Sequence, residues 1–239
     1  ANLLDLQGPN YTTDAACASA IAAVLDACHL LHSRQVDMMI AGAADRTMDP
    51  ATFAKFSAIG ALSPNHSVPF DRRANGFVMG EGAGALVLKR LEDALHDNDT
   101  IYSVIRGIGA SSDGRGKGIT APSQRGQIQA INRAYAQAGY DLSSVELIEA
   151  HGTSTSVGDA TELASLAQAY GDSLLPGSVA VGSVKSQIGH LKAAAGLAGI
   201  LKAVLALHNR TIPPSAGFEE PNDTVPWANV PFYIPTAAG

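Results

Sequence analysis

The sequence predicts an α/β fold, and two observations carry that prediction. The chain has 239 residues, of which 46% are hydrophobic and 16% charged, with 24 glycines and 12 prolines between the apolar segments. This composition is typical of an enzyme body with a sizeable core. In addition, residues 101–208 alternate between strand-like and helix-like segments in the order β-α-β-α-β-α. Such alternation favours parallel strands with helices packed on the sheet.

The residues before this alternation predict one helix and two strands. An alanine-rich segment at 17–33 carries small and apolar residues nearly all round, which favours a buried helix. The segments "VDMMIAGAAD" at 36–45 and "GAGALVLKRL" at 82–91 are short apolar runs typical of strands. We interpret these three elements as the end of a unit similar to the one that follows.

The second part of the chain predicts three strands and three helices. We expect them at 101–113 (strand), about 123–139 (helix), 145–152 (strand), about 158–170 (helix), 178–186 (strand) and about 190–208 (helix). The polar stretch "LHDNDT" at 95–100 separates this part from the first. We therefore predict two domains, residues 1–95 and 96–239.

Charge and apolar runs disfavour several classes of protein. The formal net charge is −6 and the basic residues are scattered, so nucleic acid is a poor candidate partner. The apolar run at 190–208 is interrupted by Lys192 and Lys202, so we predict no membrane span. Two cysteines, Cys17 and Cys28, do not form a disulfide framework, and a reducing, cytoplasmic location is expected.

Two local motifs are set aside. "GEGAGA" at 80–85 loosely matches the dinucleotide fingerprint, but a strand-like segment follows it where that fingerprint requires a helix. We predict instead that these glycines allow close packing of the backbone. His29 and His32 form an H-x-x-H pair with no third ligand nearby, so no metal site is predicted.

Cys17 is the first candidate site residue. It stands where a polar, turn-prone run meets the buried helix, and the N-terminal end of a helix favours the reactive thiolate. The alternative is a small buried apolar residue, as most free cysteines are. The residues alone leave both interpretations open for Cys17, whereas Cys28, deeper in the helix, is predicted to belong to the core.

Two further candidate sites follow predicted strands. In "EAHGTSTSVGD", His151 falls where a strand ends, the edge at which parallel α/β sheets place their sites, and Asp159 is a plausible helix cap. In "GSVKSQIGHLKAAAG" a strand again ends, and Lys185 and His190 come within five residues, with His190 opening a helix. A helix N-terminus disfavours imidazolium, so His190 is predicted to be a neutral hydrogen-bond donor. The alternatives are a structural histidine, a solvated lysine and a capping histidine.

Taken together, these residues predict one site. A cysteine, two histidines and a lysine come to corresponding edges of what can be a single sheet. A thiol protease uses one histidine oriented by an asparagine or aspartate. Two histidines suit a different task, which is to hold a carbonyl group while a carboxylate departs.

The three motifs, in this order, resemble those of the β-ketoacyl synthases, the condensing enzymes of fatty-acid and polyketide assembly. "PFDRRANGFVMGEGAGALVLKRLEDA" and "SSDGRGKGITAPS" are similar to the linking segments of that family. "IYSVIRGIGASSDG" and Gln187 resemble the synthase domains of iterative polyketide and polyunsaturated-fatty-acid systems.

The resemblance implies a thiolase-like fold, layered α-β-α-β-α, here incomplete at both ends. Residues 1–95 would be the end of the first half and 96–239 the second half. Most of the family's first half and its glycine-rich loop after the last helix have no counterpart in this sequence. We therefore expect the 239 residues alone to be inactive or poorly folded.

The resemblance also implies roles for individual residues. Cys17 would be the nucleophile that takes an acyl group from an acyl carrier protein. His151 and His190 would assist decarboxylation of a malonyl thioester and stabilise the enolate, and Lys185 would order the two histidines.

The same resemblance implies the carrier and the assembly. Thr153 and Thr155 would hold the phosphopantetheine arm of the carrier protein, with no cofactor bound directly. A homodimer is expected. Five basic residues are candidates for contact with an acidic carrier protein, the alternative being solvated surface charge: Arg72, Arg73, Arg115, Lys117 and Arg125.

Two rival functions are kept open. One is a non-catalytic partner subunit, similar to a chain-length factor, and the retained Cys17 argues against it. The other is a thiolase-like acyltransferase that does not decarboxylate its substrate, and His190 beside Lys185 argues against that function.

Overall fold

Two separate β-sheets with packed helices form the described part of a computed structural model, which comprises residues 1–116, 118, 121–170 and 174–239. The helices are α1 Ser19–His32, α2 Pro50–Ala58, α3 Leu91–His96, α4 Gln124–Ala138, α5 Ser156–Tyr170, α6 Lys185–Ile188 and α7 Ala195–Asn209. The strands are β1 Met38–Asp45, β2 Gly82–Lys89, β3 Leu147–Glu149, β4 Val179–Gly182 and β5 Phe232–Tyr233.

The second sheet is parallel, as predicted. Strand β4 lies between β3 and β5 and is parallel to both, with Glu149 opposite Gly182 and Val179 opposite Phe232. All four residues of β4 are buried, which explains its continuous apolar sequence. Strands β1 and β2 form an antiparallel pair in the first sheet.

The strand predicted at 101–113 is wrong, because no strand is present among residues 101–116. This segment lies instead along α4 and exchanges hydrogen bonds with helix side chains. Arg133 Nη1 donates to the Ala110 carbonyl at 2.5 Å, and the Ile108 amide donates to Gln137 Oε1 at 3.3 Å. Its apolar and β-branched residues mimic a strand in sequence, but α4 side chains take up these backbone groups.

Four helices differ from the prediction. Helix α2 was not predicted, although Asp49 accepts the Thr52 amide at 2.9 Å and Pro50 occupies the first turn, both of which are start signals readable from sequence. Helix α3 begins at Leu91, within the predicted end of a strand. Lys185 opens the short helix α6 rather than ending a strand, and α7 begins at Ala195 rather than near 190.

Helix α7 lies between the two parts of the chain. It packs against α1 near its start and contacts β3 further along. The main core surrounds β4 and includes Phe70, Leu163, Val179, Val181 and Phe232. Among the described residues, no helix has the length and apolar character needed to cross a membrane.

The glycine-rich segment before β2 serves close packing, as predicted. A Cβ atom at Gly80 would clash with the carbonyl oxygen of Ile188. The Gly80 amide donates to the His190 carbonyl at 2.9 Å, and a strand follows where a nucleotide fingerprint would have a helix. This segment therefore holds the His190 loop.

Candidate active site

Cys17 lies in a single 3₁₀ turn, residues 16–18, that leads directly into α1. Ala16 has φ of +50°, a left-handed conformation that is uncommon for alanine. Asp14 Oδ1 accepts the Ala16 amide at 2.8 Å, and Ser19 Oγ accepts the Ala15 amide at 2.9 Å. These side-chain contacts hold the turn that presents the half-buried thiol.

The electrostatic surroundings of Cys17 differ from the sequence expectation. Burial raises the pKa of the Cys17 thiol, and the neighbouring Lys185 charge opposes that rise without cancelling it. The thiol is therefore the resting form at neutral pH, despite the position before α1. Burial opposes the thiolate more strongly than the nearby positive charges favour it.

His151 and Lys185 meet at one edge of the parallel sheet, as predicted. His151 comes two residues after β3, and Lys185 comes three residues after the adjacent strand β4. Lys185 Nζ donates to the His151 carbonyl at 2.5 Å and lies 3.5 Å from His151 Nδ1. Lys185 is only 3% exposed, so its ammonium is directed at the histidine rather than at solvent.

His190 is held in a loop between α6 and α7. Its amide donates to the Val78 carbonyl at 2.8 Å, and its ring Nδ1 accepts the Lys192 amide at 2.9 Å. A backbone amide only donates, so Nδ1 is unprotonated and Nε2 carries the proton. The ring also packs on Phe77, with 4.7 Å between ring centroids.

The two imidazoles are neighbours with 5.5 Å between ring centroids and perpendicular planes. Burial lowers the pKa of His190 to about 2, helped by the positive charge of Lys185. Burial and Lys185 also lower the pKa of His151, to about 4, although one side of this residue remains exposed. Both rings are therefore neutral at pH 7. For His190 the cause is burial and nearby lysines rather than the predicted helix N-terminus, because α7 starts five residues later.

Cys17 approaches this pair from the first part of the chain. The turn at 16–18 packs against a 3₁₀ turn at 192–194, which begins two residues after His190. Lys185 and Cys17 are close enough to influence each other's ionisation. The structure thus brings together the cysteine, the lysine and both histidines that the sequence singled out.

Thr153 and Thr155 lie in the loop that follows His151. Their Oγ1 atoms are 3.1 Å apart, and both residues are partly exposed. Between them, Ser154 is fully buried with φ of +59°, and its Oγ accepts the Val68 amide at 2.9 Å. This buried contact anchors the loop between the two threonines.

Glu162 is a site residue that sequence reasoning missed. Its two carboxylate oxygens accept the amides of His151 at 2.7 Å and Gly152 at 2.8 Å. It lies on α5, three residues after Asp159. Burial lowers the pKa of Lys185, and the negative charge of Glu162 is the largest influence that opposes this shift. The i, i+3 spacing places both acids on one face of α5, but nothing in the sequence indicates that the Glu162 partners are these two backbone amides.

The capping role predicted for Asp159 is wrong. Helix α5 begins at Ser156, so Asp159 lies inside its first turn. The fully buried carboxylate accepts the Phe70 amide at 2.7 Å instead. Burial raises the pKa of Asp159 to about 7. Asp159 therefore fixes the segment beneath the loop that carries His151.

Two of the arginines proposed for carrier contact are engaged within the chain. Arg73 pairs with buried Asp71 at 2.8 Å, and Arg72 pairs with Glu220 at 2.7 Å. These two side chains tie the segment before β2 to residues 217–223. Lys117, another of the five basic residues, lies outside the described residues.

The arrangement defines a class of site suited to thioester chemistry. A cysteine sulfur can exchange acyl groups with another thioester. Two neutral Nε2–H groups can donate to an oxygen on which negative charge develops. The fold around this site is thiolase-like, as expected.

Comparison with known families identifies the group. Residues 1–94 match the model of the β-ketoacyl synthase N-terminal domain, and residues 102–219 match the model of its C-terminal domain. The chain belongs to the β-ketoacyl synthase family.

The similar proteins are polyketide synthases. A phenolphthiocerol/phthiocerol polyketide synthase of Mycobacterium tuberculosis is 44% identical over 235 residues, which is 98% of this chain and 15% of that protein. Highly reducing polyketide synthase 40 of Fusarium mangiferae is 40% identical over 97% of this chain and 10% of its own length.

Solved structures of ketosynthases are similar over the whole chain. The ketosynthase from module 6 of the bacillaene synthase of Bacillus subtilis 168 superposes with a TM-score of 0.96 and 39% identity. It matches 100% of this chain, which spans 43% of that ketosynthase. An oxazolomycin ketosynthase domain from Streptomyces albus gives a TM-score of 0.96 at 31% identity, with 100% and 43% of the two chains covered.

Proposed function

We propose that this chain carries the catalytic residues of a β-ketoacyl synthase, a condensing acyltransferase of the 3-oxoacyl-[acyl carrier protein] synthase type, in polyketide or fatty-acid synthesis. The reaction is a decarboxylative Claisen condensation between an acyl group on Cys17 and malonyl-acyl carrier protein. The observation that carries the proposal is the pair of neutral, perpendicular imidazoles 5.5 Å apart beside the Cys17 turn.

Acyl transfer to Cys17 is the first step. The sulfur attacks the thioester carbonyl, a new carbon–sulfur bond forms, and the bond to the carrier's phosphopantetheine sulfur breaks. The thiol proton passes to the departing thiolate, so no net charge is left behind. The phosphopantetheine arm is a substrate carrier, and Thr153 and Thr155 offer it two adjacent hydroxyls.

Decarboxylation of the malonyl group is the second step. The bond from the carboxylate to the α-carbon breaks, carbon dioxide leaves, and the electron pair remains as a thioester enolate. His151 and His190 donate from Nε2 to the enolate oxygen, because the Nδ1 atom of each ring faces a donor. The enolate carbon then attacks the Cys17 thioester, which yields 3-ketoacyl carrier protein and the free Cys17 thiolate.

Neutral histidines suit this step better than charged ones. When the pKa of the imidazolium form is low, the ring stays neutral at pH 7. A neutral ring donates a hydrogen bond to the enolate without transferring its proton. Lys185 contributes by repelling a proton from both rings and by directing His151 through its carbonyl oxygen. Lys185 is a positioning residue in this scheme.

The partner proposed for this site is an acyl carrier protein, and the assembly proposed is a homodimer. Two free thiols, Cys17 and Cys28, support a reducing, cytoplasmic setting. We also propose that residues beyond these 239 complete the active domain, since the chain spans 43% of the bacillaene ketosynthase.

The two half-reactions are predicted to depend on pH in different ranges. The rate of Cys17 acylation should rise about tenfold per pH unit between pH 6 and 8, because only the thiolate attacks and its pKa is raised. Decarboxylation should be nearly constant from pH 8 down to about 5.5, because both histidine pKa values lie well below that range. It should fall only as His151 gains a proton near pH 4.

Rapid-quench mass spectrometry of acylated protein and carbon dioxide release from malonyl-carrier protein measure the two rates. A decarboxylation rate that falls to half near pH 6.5, the ordinary pKa range of histidine, would contradict the neutral-pair mechanism. Both rates are measured on the full-length protein, so that any residues flanking this chain are present.

A further inference from the structure

A buried ion pair joins α7 to the end of β3, apart from the residues that the mechanism uses. Glu149 Oε2 and Lys202 Nζ are 2.8 Å apart, and the two side chains are 10% and 11% exposed. The other carboxylate oxygen, Glu149 Oε1, accepts the Val184 amide at 2.6 Å. Val184 directly precedes Lys185, so Glu149 contacts the backbone beside the lysine of the site.

The packing around the pair leaves room for both side chains. A Cβ atom at Gly199, one turn before Lys202, would lie only 3.2 Å from Glu149 Cγ, and one at Gly182 would lie 3.4 Å from Lys202 Nζ. Among the described residues, Glu149 Oε2 has no well-aligned hydrogen-bond donor. Lys202 therefore balances this buried carboxylate mainly through its charge, and without Lys202 the carboxylate would be uncompensated.

The pair also sits where the two parts of the site meet. Gly196, in the first turn of α7, packs against Ile21 of α1, the helix that follows Cys17. Two turns further on, Lys202 contacts Glu149, two residues before His151. Helix α7 thus contacts the Cys17 helix in its first turn and, near its middle, the strand that precedes His151.

We propose that Glu149 is a positioning residue for the contact between Lys185 and His151, and that Lys202 is its counter-charge. The inference rests on the proposed function, since the contact matters for decarboxylation. Glu149 accepts a hydrogen bond from the amide of Val184, the residue before Lys185, and lies two residues before His151. Glu149 therefore fixes both ends of the 2.5 Å contact between Lys185 Nζ and the His151 carbonyl. Stability alone does not account for the pair, because apolar side chains often replace buried ion pairs without loss of stability.

Four variants of the full-length protein test the pair. Lys202→Met leaves Glu149 buried without its counter-charge. Glu149→Gln with Lys202→Met is neutral and keeps an oxygen that accepts the Val184 amide. Glu149→Ala with Lys202→Met is also neutral but loses that acceptor. Lys55→Met, at an exposed lysine of α2, is the matched control.

Carbon dioxide release from malonyl-carrier protein and acylation of Cys17 are measured for each variant. Lys202→Met and the Glu149→Ala double variant should release carbon dioxide at least about tenfold more slowly, because the Lys185 turn is displaced. Cys17 acylation should change by less than about threefold in both, and the Glu149→Gln double variant and Lys55→Met should stay within about threefold of the unsubstituted protein in both rates.

Equal rates of carbon dioxide release in the two double variants would overturn the proposal. So would a parallel fall of both half-reactions that follows the thermal midpoint, because that pattern indicates a structural role only. The double variants carry no uncompensated charge, so their comparison decides the matter even if Lys202→Met does not fold. No carbon dioxide release from the unsubstituted protein would overturn the proposed function and this inference together.

Discussion

Cys17→Ala is expected to abolish condensation in the full-length protein, with a loss of at least about 10³-fold, because no other side chain replaces a covalent nucleophile. The same variant should no longer gain the mass of an acyl group when it is incubated with acyl thioesters. Release of carbon dioxide from malonyl-carrier protein should persist, because the histidine pair that stabilises the enolate is intact. Intact-mass spectrometry and a product assay measure these effects.

Cys28→Ala is the matched control, since this cysteine is 8% exposed and lies in the interior of α1. It should keep the acyl adduct and most of the condensation rate. Condensation that survives Cys17→Ala but not Cys28→Ala would show that Cys17 is not the nucleophile. Condensation that survives both would favour the rival function of a non-catalytic partner subunit.

His190→Ala is expected to have the next largest effect. Loss of one donor to the enolate oxygen should slow carbon dioxide release about 10²- to 10³-fold. Acylation of Cys17 should be nearly unchanged, because His190 makes no hydrogen bond that holds the 16–18 turn. Condensation should fall in proportion to carbon dioxide release, which identifies decarboxylation as the affected step.

His66→Ala is the control for this substitution, because His66 is exposed and precedes the buried segment at 67–71. It should leave both half-reactions within about threefold of the unsubstituted protein. Full carbon dioxide release by His190→Ala would contradict the role of His190 in decarboxylation.

The candidate site could be predicted from sequence because its residues follow strands of one parallel sheet. His151 and Lys185 come just after β3 and β4, and adjacent parallel strands bring their carboxyl ends to one edge. For Cys17, the local sequence pattern predicts only a position at the start of a buried helix. Its approach to His190 depends on packing between the turns at 16–18 and 192–194, which no local pattern encodes.

Other features depend on tertiary contacts and could not be predicted. Glu162 and Glu149 are directed at the site by α5 and β3, but their partners are backbone amides distant in sequence. The segment at 101–113 has strand-like residues, yet α4 side chains take up its hydrogen bonds. The pKa of Cys17 is set by burial that appears only once both parts pack together. The domain boundary at 95/96 stays a prediction.

A single-turnover measurement tests most directly whether Cys17, His151 and His190 act on one pair of substrates. The full-length protein is first acylated on Cys17 and then mixed with malonyl-carrier protein labelled with ¹³C at the carboxylate. For every acyl group that leaves Cys17, we predict one labelled carbon dioxide and one 3-ketoacyl carrier protein. Labelled carbon dioxide released while the acyl group stays on Cys17, with no 3-ketoacyl product, would contradict the account.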